Sequence, residues 1–172
     1  MRRSVGRAFR NVTREQTNGG LVFLGAHGCR SGGVRNSQDG VELLVLHRSA
    51  AQGGYWHVVA GGVEFGETVA EAAQRELEEE TGLLAKPAAG VEVVEYVYAL
   101  TEEPADRRNQ YDPLVAEVEV TCFHVGAPDE WEPRLDWEHD GHRWCAPGEA
   151  FELLRWPATA QALRTLLMLE SA

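Results

Sequence analysis

The sequence predicts an α/β domain, a mixed sheet covered by helices, and three observations carry that prediction. Apolar runs of strand length recur at Leu21–Ala26, Val41–His47, Trp56–Ala60, Val91–Leu100 and Leu114–Val125. An Ala- and Glu-rich stretch from Thr68, free of Gly and Pro until Gly82, interrupts them with helical composition. The chain then closes on an Ala- and Leu-rich segment that opens at Pro157. With 172 residues, 44% hydrophobic and 25% charged, residues 1–172 suit one globular domain with a core of ordinary size.

Each element has its own signal. The first two runs read as strands of a hairpin whose long connection, Gly28–Gly40, is rich in Gly, Ser and Asn. Trp56–Ala60 is a short strand that leads into a loop containing Gly61, Gly62 and Gly66. The following helix has a cap-capable Thr68 at its start and Gly82 at its end, and Val69, Ala73 and Leu77 recur every four residues as its buried stripe. Val91–Leu100 and Leu114–Val125 flank a charged loop, Thr101–Pro113. In the second of these strands Ala116, Val118 and Val120 share one face while Val115, Glu117 and Glu119 share the other. Trp131–Gly141 is acidic and reads as a surface loop. His142–Cys145 follows as a short strand, Pro147–Leu154 as a short helix, and Pro157–Leu169 as a terminal helix with Leu163, Leu166 and Leu167 inward.

The helix after Thr68 also carries the chemistry. Glu76 and Glu80 are four apart with Glu79 beside them, which makes an acidic patch next to the apolar stripe. Like charges at that spacing repel unless a cation lies between them. Arg75, four residues before Glu79, can hold that carboxylate or orient a phosphate. Oxygen ligands at this density suit Mg²⁺ or Mn²⁺. The glycines ahead of the helix let backbone carbonyls near Ala60 and Gly61 reach the same ion. A plain solvated acidic face is the alternative, and the glycine loop weighs against it.

Composition removes several function classes. A net charge of −11 argues against broad nucleic-acid binding, which normally needs a basic stripe, but not against a polyphosphate substrate met through metal ions. Arg2, Arg3, Arg7, Arg10 and Arg14 concentrate positive charge in a segment, 1–17, that reads as a flexible basic arm, a phosphate contact being the sharper alternative. Cys29, Cys122 and Cys145 are too few and too scattered for a disulfide framework or a zinc site, and the pair His139 and His142 lacks a second cluster. No apolar run is long enough to span a bilayer and no signal-peptide core is visible, so a cytoplasmic protein is expected.

Written as spacing, the segment Gly61–Leu83 is Gly61, five residues, Glu67, seven residues, Arg75, Glu76, Leu77, one residue, Glu79, Glu80, one residue, Gly82, Leu83. It resembles the Nudix box in full. At residue frequencies of about one in fifteen, the fixed types coincide by chance at a given start with a probability on the order of 10⁻⁸. The resemblance implies an α/β/α sandwich with a mixed sheet, the box forming a loop-helix-loop. It also implies Mg²⁺-dependent hydrolysis, Mn²⁺ substituting, of a nucleoside diphosphate linked to a further group.

Outside the box, WHVVAGGVEFGE from Trp56, the pair Glu138 and His139, Trp144, and WPATAQAL from Trp156 are similar to the bacterial dihydroneopterin triphosphate pyrophosphohydrolases, which also act on dATP and other nucleoside triphosphates. That likeness implies Glu76, Glu80 and Glu138 as metal ligands, joined by the backbone at Ala60. Catalytic roles fall to Glu79, Arg75 and Glu67: one glutamate or Glu138 as proton acceptor, Arg75 to orient a glutamate, Glu67 to steady the loop. Trp56 is the candidate to stack a pteridine or purine and Arg48 to reach a phosphate, a core aromatic and a surface arginine being the plain alternatives. The chain has Val59, Ala60 and Gly61 where asymmetric dinucleoside tetraphosphate hydrolases carry Pro-Lys-Gly, which weighs against that substrate.

The expected function is cleavage of a nucleoside or pterin triphosphate to the monophosphate and pyrophosphate. Hydrolysis of a dinucleoside tetraphosphate, nucleotide sugar or ADP-ribose is the enzymatic alternative, and a non-catalytic nucleotide-sensing module the alternative of another class. The expected partner is a small polyphosphate, with no stable nucleic-acid or membrane association and with a homodimer compatible.

Overall fold

A computed structural model describes residues 18–26, 41–85, 94–103, 105–109, 111, 115–128 and 131–170. The connection Gly28–Gly40, the arginine-rich start and Cys29 lie outside the described residues. The strands are β1 (Asn18–Ala26), β2 (Glu42–Arg48), β3 (Trp56–His57), β4 (Val59–Gly62), β5 (Val94–Ala99), β6 (Glu117–Gly126) and β7 (His139–Cys145). The helices are α1 (Val69–Thr81), α2 (Ala105–Arg108), α3 (Pro147–Leu153) and α4 (Pro157–Glu170). As the sequence predicts, the sheet is mixed: β1 runs parallel to β6 from Asn18↔Glu119 to Gly25↔Gly126, and the other pairings between these strands are antiparallel.

The path of the sheet corrects two expectations. β1 and β2 pair only at Gly25↔Leu43 and Ala26↔Glu42, so the predicted hairpin closes at its base and then opens. The predicted strand Trp56–Ala60 fills the opening by splitting in two. β3 pairs with β2 through Leu46↔His57 and His47↔Trp56, while β4 pairs with β1 from Gly19↔Gly62 to Val22↔Val59. One short segment therefore serves two strands, and its far end delivers Ala60, Gly61 and Gly62 to the side of α1, which packs across β1 and β4.

A third correction concerns Trp131–Gly141, read as a surface loop. β7 begins at His139, three residues earlier than predicted, and pairs along β2 with an irregularity between His47 and Arg48. Acidic composition with Pro and Trp gave a loop signal, but burial of His139 against β2 overrides it. The charged connection 101–113 likewise contains a turn of 3-10 helix, Leu100–Glu102, and the short α2.

Both faces of the sheet are covered. Leu44, Leu46, Val59 and Phe123 meet Ala73 and Leu77 of α1 on one face. Leu43, Val45, Val118 and Val120 meet Ala160, Leu163 and Leu166 of α4 on the other, which completes the α/β/α sandwich. The alternation read in β6 holds, with Val118 and Val120 buried and Glu117 and Glu119 exposed. Cys122 and Cys145 are free and buried, and burial pushes the Cys122 thiol up to about 12, so neither acts as a surface thiol.

Local sequence fixes the ends of α1. Thr68 Oγ1 accepts from the Glu71 amide while the Glu71 carboxylate accepts from the Thr68 amide, a reciprocal capping box. Gly82 closes the helix at φ 77°, a left-handed position that suits glycine. Thr68→Ala should cost about 1 kcal/mol, seen as a fall of roughly 2–4 °C in melting temperature. An unchanged transition in differential scanning calorimetry would contradict it.

Candidate active site

The sequence places five carboxylates in or near one region, and the structure sorts them between two arginines. Arg75 points from α1 back over the glycine loop. Its Nε donates to Glu67 Oε1 at 2.9 Å, its Nη2 to Glu67 Oε2 at 3.0 Å and to the Gly62 carbonyl at 2.8 Å, and its Nη1 to Glu76 Oε1 at 2.5 Å. The contact foreseen with Glu79, one helical turn on, is the longest at 3.4 Å. Arg75 thus staples the loop to the helix as well as pairing within the helix. Burial opposes its charge, but the bonds to Glu67 and Glu76 outweigh that and hold it firmly protonated. The same bonds draw the Glu67 carboxyl below its ordinary range, and a further bond from the Glu64 amide at 2.9 Å fixes its second oxygen.

The second centre lies deeper. Glu80, on the helix face that turns toward the sheet, is only 4% exposed, so it is not part of a solvated acidic face. Arg48 Nη2 stands 3.5 Å from Glu80 Oε1, and Arg48 Nη1 donates to Glu138 Oε2 at 2.5 Å. Arg48 is itself buried, which corrects its alternative reading as a surface arginine. Burial raises the Glu80 carboxyl well above its ordinary range. Arg48 and the Ala60 amide, which donates to Glu80 Oε2 at 3.3 Å, oppose that, while neighbouring Glu76 adds to it. Glu76 is raised too, first by burial, against the pull of Arg75.

The donor chemistry suits a hard divalent cation. Glu76, Glu80 and Glu138 offer oxygen only, and two of them carry charge that burial disfavours and a cation would restore. A β-carbon on Gly61 would overlap the Glu76 carboxyl, so the glycine is what lets this carboxylate lie against β4. In an extended strand the amide and carbonyl of one residue point to the same side, so the Ala60 amide bond to Glu80 turns the Ala60 carbonyl toward the helix as well. Among the described residues no group of three or more His, Cys, Asp and Glu already converges as on a bound ion; the carboxylates are gathered on the two guanidinium groups instead. Gly61→Ala should therefore dislodge Glu76 and reduce turnover on the order of a hundredfold, the usual effect of a misplacement near 1 Å. Full activity in a steady-state assay of that variant would show that Glu76 need not sit there.

Sequence reasoning missed the support behind Glu138. Asp136 Oδ1 accepts from His139 Nδ1 at 2.6 Å and from the Glu138 amide at 3.1 Å. With its Nδ1 proton committed, His139 accepts at Nε2 from His57 Nε2 at 2.7 Å, the two rings stacked 4.9 Å apart. Burial lowers the His139 pKa against the pull of Asp136, in keeping with a neutral ring. The only signal was three titratable residues within four positions, which says nothing of His57 until the sheet pairs β2 with both β3 and β7. Trp56 is not brought to the carboxylates. It lies beside His47, on the face opposite Leu46 and Arg48, and packs into the core on the α4 side with Arg143 over its ring at 5.1 Å. Two other aromatics flank the site in sequence and are exposed: Phe65 in the glycine loop and Trp137 beside Glu138.

With this geometry in place, comparison with known proteins supplies the family. The NUDIX domain profile matches residues 31–166. The CTP pyrophosphohydrolase of Escherichia coli strain K12 is 31% identical over 137 residues, covering 78% of this chain and 88% of that protein. An octanoyltransferase of Myxococcus xanthus is 33% identical over 131 residues, 76% of this chain, which spans only 34% of that protein's length. Among solved structures, the E. coli dihydroneopterin triphosphate pyrophosphohydrolase superposes with a TM-score of 0.65 at 24% identity, over 87% of this chain and 94% of that one. The chain belongs to the Nudix family.

Proposed function

We propose that the protein is a Mg²⁺-dependent pyrophosphohydrolase that cleaves a nucleoside or pterin triphosphate to the monophosphate and pyrophosphate, Mn²⁺ substituting for Mg²⁺. The observation that carries this reading is the convergence of Glu67, Glu76 and Glu79 on Arg75 beside Gly61, with Glu80 and Glu138 joined on Arg48. The E. coli CTP pyrophosphohydrolase and the fold shared with the dihydroneopterin triphosphate enzyme support the substrate class.

Divalent metal bound here supplies neutralisation of phosphate charge and an acidified water. Glu76, Glu80 and Glu138 hold it, with the Ala60 carbonyl completing the protein's share of ligands. Arg75 keeps Glu76 and Glu79 in place and ties the helix to the loop at Gly62 and Glu67. Glu79 is the most exposed of the carboxylates on Arg75, at 41% of its side-chain surface, and is the group we assign to take the proton of the attacking water. Asp136, His139 and His57 hold the Glu138 segment against the sheet. Phe65 and Trp137 are better placed along the chain than Trp56 to meet a planar base. Residues 1–172 act as one domain, and the buried free thiols suit a reducing cytoplasm.

The test is a panel of nucleoside and deoxynucleoside triphosphates, dihydroneopterin triphosphate, dinucleoside tetraphosphates, nucleotide sugars and ADP-ribose, with and without Mg²⁺. Monophosphate and pyrophosphate released from a triphosphate, and lost with chelator, is the expected result. Turnover confined to the dinucleotides or sugars would replace the substrate assignment. No turnover of any compound with Mg²⁺ or Mn²⁺ would leave a nucleotide-sensing module.

A further inference from the structure

Arg48 has an unusual position for a cation. It ends β2, its amide donates to the Tyr55 carbonyl and the Ser49 amide to the Glu138 carbonyl, both at 2.9 Å, so the backbone on which it stands is fixed. Its guanidinium is buried between the same two carboxylates, one from α1 and one from the segment before β7, that the proposed function needs as metal ligands. The match is incomplete. The contact with Glu80 is long at 3.5 Å, and the buried Nε has no hydrogen-bond acceptor, whereas a guanidinium in a pocket built for it satisfies its fork of donors.

Electrostatics forbid simple co-occupancy. A divalent ion at Glu80 and Glu138 would lie within a few ångströms of a buried positive charge, with little water between them to screen the repulsion. Without any cation, Glu80 would be a buried carboxylate whose charge has no compensation, a costly state. Arg48 meets that need in the metal-free protein, and does so with a bond to Glu80 loose enough to exchange.

We propose that Arg48 is the resident counter-ion of the metal site: it holds Glu80 and Glu138 together in the absence of metal, and a divalent cation must displace it from Glu80 to bind. This rests on the metal site of the proposed function. Arg48 is then a positioning residue that sets the metal concentration at which the enzyme becomes competent, and the phosphate-binding role expected from the sequence is secondary to it.

The experiment is a Mn²⁺ titration of the full-length protein followed by the electron paramagnetic resonance signal of the free ion, at about pH 8, without substrate. Arg48→Gln, which keeps a donor to Glu138 but removes the charge, should bind Mn²⁺ about tenfold more tightly than the wild type. Arg48→Lys should stay within a factor of about three of the wild type, because the charge remains. Equal or weaker binding by Arg48→Gln, with the wild type binding normally, would overturn the competition. Absence of Mn²⁺ binding by the wild type would instead overturn the metal site itself, so the two failures are distinct. Should Arg48→Gln not fold, ¹⁵N-labelled wild type gives the answer. The Arg48 guanidinium resonance should shift on titration with Mg²⁺, and an unchanged resonance at saturation would overturn the proposal.

Discussion

Glu80→Gln should leave the protein folded and reduce turnover by at least about a thousandfold, which corresponds to roughly 4 kcal/mol of lost transition-state stabilisation. The two halves of the expectation have separate origins. Glu80 is 4% exposed and burial drives its carboxyl toward the neutral form, so a neutral amide of the same shape removes a charge the fold disfavours. The amide oxygen can still accept from the Ala60 amide, now at 3.3 Å, and Arg48 keeps its 2.5 Å bond to Glu138. Stability should therefore change by no more than about 1 kcal/mol. Hydrolysis at the proposed metal site, by contrast, should lose an anionic ligand that no neighbour replaces, because Glu76 is engaged by Arg75 and Glu138 comes from another segment. The decisive measurement pairs a melting curve with kcat at saturating Mg²⁺. A variant with wild-type melting and undiminished kcat would remove Glu80 from the chemistry, whereas collapse of the fold would mean that its charge, not its shape, is structural.

How far the sequence reaches is visible in this same residue. Spacing alone put Glu76 and Glu80 on one side of a helix bounded by Thr68 and Gly82, and the helix runs Val69–Thr81. Spacing is local, and so are capping and the apolar stripe, which is why α1, α3 and α4 were legible to within a residue or so. What a local pattern cannot carry is the partner across the sheet. That Glu80 is buried follows from Arg48, thirty-two positions earlier, entering from the end of β2, and that Glu138 joins them follows from β7 pairing with β2. The splitting of Trp56–Gly62 between β2 and β1 has the same character. No residue in that run announces a change of partner, yet the change sets Trp56 on the α4 side of the sheet and Gly61 against Glu76. Trp56 lies away from the carboxylates for this reason: in a strand, one position decides the face.

Arg75→Met should be the most destabilising single change in the site, and the loss should be recoverable with metal. Arg75 is bonded to Glu67, Glu76, Glu79 and the Gly62 carbonyl, so one substitution removes the cation from three carboxylates and the staple from the loop. Removing one partner of a fully buried pair costs about 3–5 kcal/mol. The side chain is 21% exposed and Glu79 41%, so solvent screens part of the repulsion and about 2–3 kcal/mol is the fitting expectation. At this chain length that is a drop of roughly 5–10 °C in melting temperature. On the proposed metal site, divalent metal binds the folded carboxylates in preference to the unfolded chain, so Mg²⁺ should raise the melting temperature of Arg75→Met by more than it raises that of the wild type. Lower ionic strength should deepen the deficit and added salt relieve it, since the source is like-charge repulsion. Turnover should stay depressed even where metal restores the fold, because Glu79 and the loop at Gly62 lose their orientation together. A melting temperature indifferent to Arg75→Met in the absence of metal would mean that Glu67, Glu76 and Glu79 do not repel one another enough to need the arginine. The electrostatic account of why this helix tolerates its carboxylates would then be wrong.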